Sequence, residues 1–114
     1  MTKNNFRPGP EHFESVARLF EVLADPTRLS ILYLLKQEPS YVQEIVEKTG
    51  LKQPNVSKQL ALMYDAGLVG RERNGNQIRY SILDPLVFEL CNLVCEKLRC
   101  EAENHAQVMR KVVG

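Results

Sequence analysis

YVQEIVEKTG-LKQPNVSKQLALMYDAG-LVGRERNGNQIRYSIL, residues 41–83, holds the segment 42–80 around which the rest of the chain is arranged. It reads as a short helix, a turn, a second helix and a β-hairpin. Ile45, Val46, Leu51, Val56, Leu60 and Met63 form an apolar scaffold, and Gln53, Asn55, Ser57, Lys58 and Gln59 fall outside it. Asn74-Gly75-Asn76 supplies the hairpin turn, because Asn-Gly between extended runs is a strong short-range hairpin signal. Arg71, Arg73 and Arg79 flank that turn. A rigid helix bearing amides, a hydroxyl and a lysine, beside an arginine-lined hairpin, suits a major groove and its adjacent phosphates. The expected module is a winged helix that binds double-stranded DNA.

Working outward, residues 1–9 read as a flexible N-terminal arm, and residues 10–114 as one winged-helix DNA-binding and dimerisation domain. A first helix is expected from Pro10 to about Ala24, with Phe13, Val16, Ala17, Phe20, Leu23 and Ala24 as an apolar stripe. Asp25 caps a second helix with Pro26 at its first position, and Pro39 prevents its continuation. Leu29, Ile31, Leu32, Leu34 and Leu35 make that helix mostly buried. Ser40 is expected to cap the third helix, with Gln43 at the capping-box position, and Gly50 to end it. A fourth helix follows from about Gln53-Pro54 to Asp65-Ala66-Gly67, then strands over 68–73 and 77–82. Asp84-Pro85 opens a last helix reaching about Val108 or beyond. The predicted fold is mainly α with a β-hairpin wing, in the order α-α-α-α-β-β-α.

The chain has 114 residues, 44% hydrophobic and 25% charged, which is enough for one domain with one core. It contains no apolar run of the ~20 residues that a membrane span requires, and the N-terminus lacks a secretory h-region. These features place it in the cytoplasm, without membrane contact, where its three cysteines stay reduced. The formal net charge is only +1. Charge is nevertheless concentrated: Lys52, Lys58, Arg71, Arg73 and Arg79 oppose only Asp65 and Glu72 over residues 51–81. A basic module fits local phosphate contact. An ordinary solvated face is the competing reading of each residue alone.

LADPTRLSIL at 23–32 and GLKQPNVSKQL at 50–60, followed by AGLV at 66–69 and the arginine-bearing hairpin, resemble the ArsR/SmtB family of bacterial winged-helix repressors. The resemblance spans residues 10–100. It implies a homodimer built through the first and last helices, which represses transcription and leaves DNA on a chemical signal. Gln53, Asn55, Ser57, Lys58 and Gln59 match the part of the motif that faces DNA. Gln and Asn can pair with adenine, and Ser and Lys more often hold phosphate. The family often has serine where Lys52 stands, so this recognition helix lacks its usual cap, and Lys52 joins the phosphate candidates.

The resemblance also locates what is missing. One family site needs a cysteine pair and an acidic residue at the start of the third helix, where this chain has Tyr41, Gln43 and Glu44. A zinc site on the last helix is matched by Asp84, but Leu86 and Lys97 occupy its histidine positions and cannot complete it. Cys100 matches a cysteine of the persulfide-responsive branch, whose partner position here is Tyr33. The remaining sensor candidates are Cys91, Cys95 and Cys100. At ~100° per residue, Cys91 and Cys95 share one face and Cys100 lies ~140° from Cys95. No cofactor is required by this reading, and a soft metal or metalloid at Cys91 and Cys95 is the one metal candidate. The expected function is a dimeric DNA-binding repressor relieved by persulfide, oxidant or arsenite-type chemistry at these thiols. The alternative is the same repressor with structural cysteines, since free cysteine often packs as a small apolar residue. Glu101 and His105, one turn apart, read as a surface pair. A phosphate loop, a nucleophile elbow and an acid–base pair are all missing, so an enzyme is not expected. A protein-docking winged helix should expose an apolar anchor where this chain has amides.

Overall fold

A computed structural model describes residues 6–113. The elements are α1 (Pro10–Leu23), α2 (Pro26–Gln37), β1 (Ser40–Tyr41), α3 (Val42–Thr49), α4 (Gln53–Asp65), β2 (Val69–Asn74), β3 (Gln77–Ile82) and α5 (Pro85–Val113). Of the expected arm, residues 1–5 lie outside the described residues. Residues 6–9 belong to no element, and the Phe6 ring meets His12 edge-on at 4.8 Å between centroids. The chain divides after Leu83 into two units, the winged helix and the last helix.

Within the winged helix, local chemistry sets the helix ends. The Asp25 carboxylate accepts the Arg28 backbone N–H at 2.9 Å, capping α2 ahead of Pro26. Gly50 ends α3 in the left-handed conformation at φ +73, donating its N–H to the Val46 carbonyl. Lys52 occupies the N-cap of α4 with no side-chain bond to the helix, as the missing serine predicts.

The start of α3 corrects the sequence expectation. Ser40 and Tyr41 form a short strand that pairs antiparallel with β3, Ser40 opposite Tyr80 and Tyr41 opposite Arg79. Ser40 is therefore 1% exposed, and its hydroxyl donates to the Glu38 carbonyl rather than capping a helix. The N-cap passes to Tyr41, whose N–H is accepted by Glu44 Oε1 at 2.8 Å, so Glu44 replaces Gln43 in the box. Strand pairing holds both residues extended, which moves the helix start by one residue. The order becomes α-α-β-α-α-β-β-α, and the hairpin becomes a three-stranded antiparallel sheet in the order β1-β3-β2.

β2 and β3 register with Val69 opposite Ile82 and Asn74 opposite Gln77, leaving Gly75-Asn76 as the tip, where Gly75 takes φ +67. Ile31, Leu32 and Leu35 of α2, Ile45 of α3, Val56, Leu60 and Met63 of α4, with Leu68, Val69 and Tyr80, form the core. Leu29 and Leu34, expected inside, are respectively exposed and half-buried. In α1 only Leu23 of the expected stripe is buried, and Phe13 and Phe20 face outward.

α5 opens with the Leu86 N–H bonded to Asp84 Oδ1 at 3.0 Å. Lys97 pairs with Glu101, and Arg99 bridges Glu96 and Glu103, which holds the Glu96 carboxyl below its usual range. Glu101 therefore turns to Lys97, not to His105. Among the described residues, no helix is long and apolar enough to cross a membrane.

Candidate nucleic-acid interface

The α4 helix is divided lengthwise. Val56, Leu60 and Met63 recur at i, i+4 and i+7 and are fully buried, fixing the helix against the core. The same rotation leaves Gln53, Asn55, Ser57 and Lys58 exposed. These four residues crowd the N-terminal half of the helix, the end that meets base edges when such a helix enters a groove. Gln59 stands apart: it is half-buried, its Oε1 accepts Arg28 Nη1 at 3.0 Å, and its Nε2 donates to Asn55 Oδ1 at 3.0 Å.

The start of α3, the start of α4 and the wing tip border one cleft of about 420 Å³, lined by Tyr41, Val42, Gln43, Gln53, Ser57, Asn76, Gln77 and Ile78. Asn74 Nδ2 donates to the Tyr41 hydroxyl at 2.7 Å, tying the hairpin to the start of α3. Nothing in the sequence marks Tyr41 and Asn74 as residues of this surface, and Asn74 reads there only as a turn former.

The three wing arginines have different surroundings. Arg71 lies with its guanidinium carbon 3.9 Å from the Tyr64 ring centroid, and Tyr80 and Tyr64 both favour its charged form. Arg79 faces Glu72 across the hairpin at 3.7 Å. Arg73, opposite Ile78, forms no ion pair among the described residues and is exposed near the tip. Lys52 and Lys58 are likewise exposed. The face thus offers Lys52, Lys58 and Arg73 as cations directed at solvent, with Arg71 stacked and Arg79 partly neutralised.

On α5, Cys91 is half-buried, and Cys95 and Cys100 are exposed; all three are free thiols. Burial, and then the neighbouring Cys95, push the Cys91 thiol up and keep it protonated to higher pH. Cys100 Sγ lies 4.0 Å from Arg99 Nη2. Among the described residues, no group of three or more His, Cys, Asp or Glu is placed to hold a metal ion. Cys91 and Cys95 remain a two-thiol arrangement one turn apart.

Residues 25–70 match the family described as "Bacterial regulatory protein, arsR family". The chain is 39% identical over 98 residues to a Streptomyces lividans protein named "Probable mercury resistance operon repressor", covering 86% of this chain and 75% of that one. The crystal structure of Mycobacterium tuberculosis Rv0081 superposes with a TM-score of 0.76 at 32% identity, over 87% of this chain and 99% of that one. The solution structure of the homodimeric winged helix-turn-helix DNA-binding domain of Mycobacterium bovis Mb0332 gives 0.73 at 30%, over 86% and 91%. The buried and exposed faces of α4, the tethered wing and these likenesses agree. The chain belongs to the arsR family of bacterial regulatory proteins, winged helix–turn–helix transcriptional repressors rather than enzymes.

Proposed function

We propose that residues 10–114 act as one DNA-binding and dimerisation domain, a cytoplasmic repressor that pairs through α1 and α5 and leaves its operator when thiols on α5 react. The observation that carries the DNA reading is the outward row Gln53, Asn55, Ser57 and Lys58 on a helix whose other face is fully buried. Lys52 and Arg73 add phosphate contacts at its two borders, and Arg71, Arg79 and Gln59 shape the surface. The homodimeric neighbour supports pairing, as do the exposed apolar residues of α1 and α5.

For the signal, Cys91 and Cys95 would hold a thiophilic ion such as mercuric ion or arsenite, since thiolates select soft ions. The mercury-resistance name of the S. lividans relative supports that class. Persulfide or oxidant chemistry would start instead at the exposed Cys95 and Cys100. Either event changes α5, the proposed dimer helix, and so the spacing of the two α4 helices on successive grooves. The half-buried Cys91 favours a second reading for that thiol, as packing alone.

The experiment follows duplex binding by the full chain during titration with mercuric ion, arsenite or polysulfide. Wild type is expected to release DNA with at least one of them. The Cys91→Ser/Cys95→Ser/Cys100→Ser variant is expected to stay bound. Equal release by both proteins would end the thiol reading and leave a repressor with structural cysteines.

A further inference from the structure

Arg28 lies outside the outward face of α4, yet it contacts that face indirectly. Its Nε donates to the Val22 carbonyl in the last turn of α1 at 2.6 Å, and its Nη1 donates to Gln59 Oε1 at 3.0 Å. Gln59 Nε2 in turn donates to Asn55 Oδ1, one turn back along α4, at 3.0 Å. We propose that Arg28 is a positioning residue for base selection: through Gln59 it fixes the Asn55 amide with its NH2 group toward the groove, so that this position reads guanine. The inference rests on the proposed seating of α4 in a major groove.

The physical basis is directional. A guanidinium has five donors and no acceptor, so the side of Gln59 that meets it must be the carbonyl oxygen. Turning Gln59 over would set donor against donor. With its oxygen held, Gln59 can offer only its NH2 to Asn55, and Asn55 must answer with its oxygen. The ordering does not depend on how an amide's O and N are distinguished, because the chain starts from a group that can only donate. Asn55 is exposed and left with its oxygen turned along the helix toward Gln59, one lone pair engaged, while its Nδ2 hydrogens take no part in that bond. Paired recognition of adenine requires an amide to accept from N6 while donating to N7, so the one oxygen already turned toward Gln59 would have to accept from both Gln59 and N6. An amide presenting donors is better matched to guanine, whose N7 and O6 are adjacent acceptors. The anchor at Val22 also ties this selection to the end of α1, one of the two proposed dimer helices.

The test uses the full chain and a pool of duplexes with randomised sequence. Duplexes selected by wild type are remade with each base at every position, and binding is compared among wild type, Arg28→Met and Asn55→Asp. Wild type is expected to prefer guanine to adenine by about tenfold at one position of each half-site. Asn55→Asp, which can only accept, is expected to shift that position toward cytosine, whose exposed group is a donor. Arg28→Met is expected to flatten preference there to within about twofold while the other positions keep theirs. Should Arg28→Met fail to fold, Gln59→Leu cuts the same chain and carries the same expectation. In DNA-free protein, the Asn55 side-chain amide NMR signals are expected to move when Arg28 is replaced, because Gln59 hydrogen-bonds to both residues. Retained guanine preference in the variant, an equal loss of affinity for every duplex, or unmoved Asn55 signals would each overturn the relay. Absence of selective binding by wild type would instead overturn the DNA reading on which it stands.

Discussion

Leu60→Ala is expected to destabilise the winged helix by roughly 2–5 kcal/mol, the range for truncating a leucine in a core that relaxes only partly. Leu60 is fully buried, as are Val56 and Met63 on either side of it, and α4 packs against α2 and α3. Native domains are stable by only about 5–15 kcal/mol, so the loss is a large share of the total. A lower denaturant midpoint with an unchanged slope is the expected signature. Leu62→Ala removes the same atoms two residues further on, but Leu62 is exposed, and its cost should stay within about 0.5 kcal/mol. Equal midpoints for the two variants would contradict the orientation of α4, and with it the assignment of its outward row.

The second large effect concerns pairing. Phe13 and Phe20 stand seven residues apart on α1, 59% and 51% exposed, and Leu86 and Leu93 stand seven apart on α5, 68% and 70% exposed. A spacing of two turns places each pair on one face of its helix. Aromatic and leucine faces left open in a protomer mark an interaction surface, and a second copy is the proposed occupant. Placing a carboxylate there costs little in the protomer, where water reaches it, and several kcal/mol in a dry interface. Phe20→Glu and Leu93→Glu are therefore expected to give monomers by sedimentation with little change in the melting of the winged helix. Loss of the linked second half-site should lower affinity for a two-site duplex by about 10²–10⁴. Dimers of unchanged stability in both variants would contradict pairing through these helices.

The same residues show what a sequence can and cannot carry. α4 is legible because one helical period separates Val56, Leu60 and Met63 from the amides between them, and α2 because Asp25-Pro26 is a complete start signal. The wing is legible from Asn74-Gly75. β1 is not, since two residues have no period, and Ser40 resembles a helix cap until β3 arrives from the far end of the module. The α1 stripe announces an apolar face but not what covers it. The finer organisation of the DNA face is hidden for a related reason. Arg28 reaches Gln59 over 31 residues and Tyr41 meets Asn74 over 33, joined only by the fold. Arg71, Arg73 and Arg79 look equivalent in sequence, yet the first stacks on Tyr64, the last faces Glu72, and Arg73 forms no ion pair among the described residues.

The central claim is that the outward face of α4, bordered by the wing, binds duplex DNA. Its most direct test is the equilibrium constant of the full chain for a selected duplex across a series of salt concentrations. Binding that neutralises phosphates releases counterions, so log K should fall linearly with log salt, by about 0.9 for each contact. Lys58→Ala should weaken binding to all sequences alike and reduce that slope by about one. A constant that does not change with salt, or a slope that Lys58→Ala leaves untouched, would contradict the account.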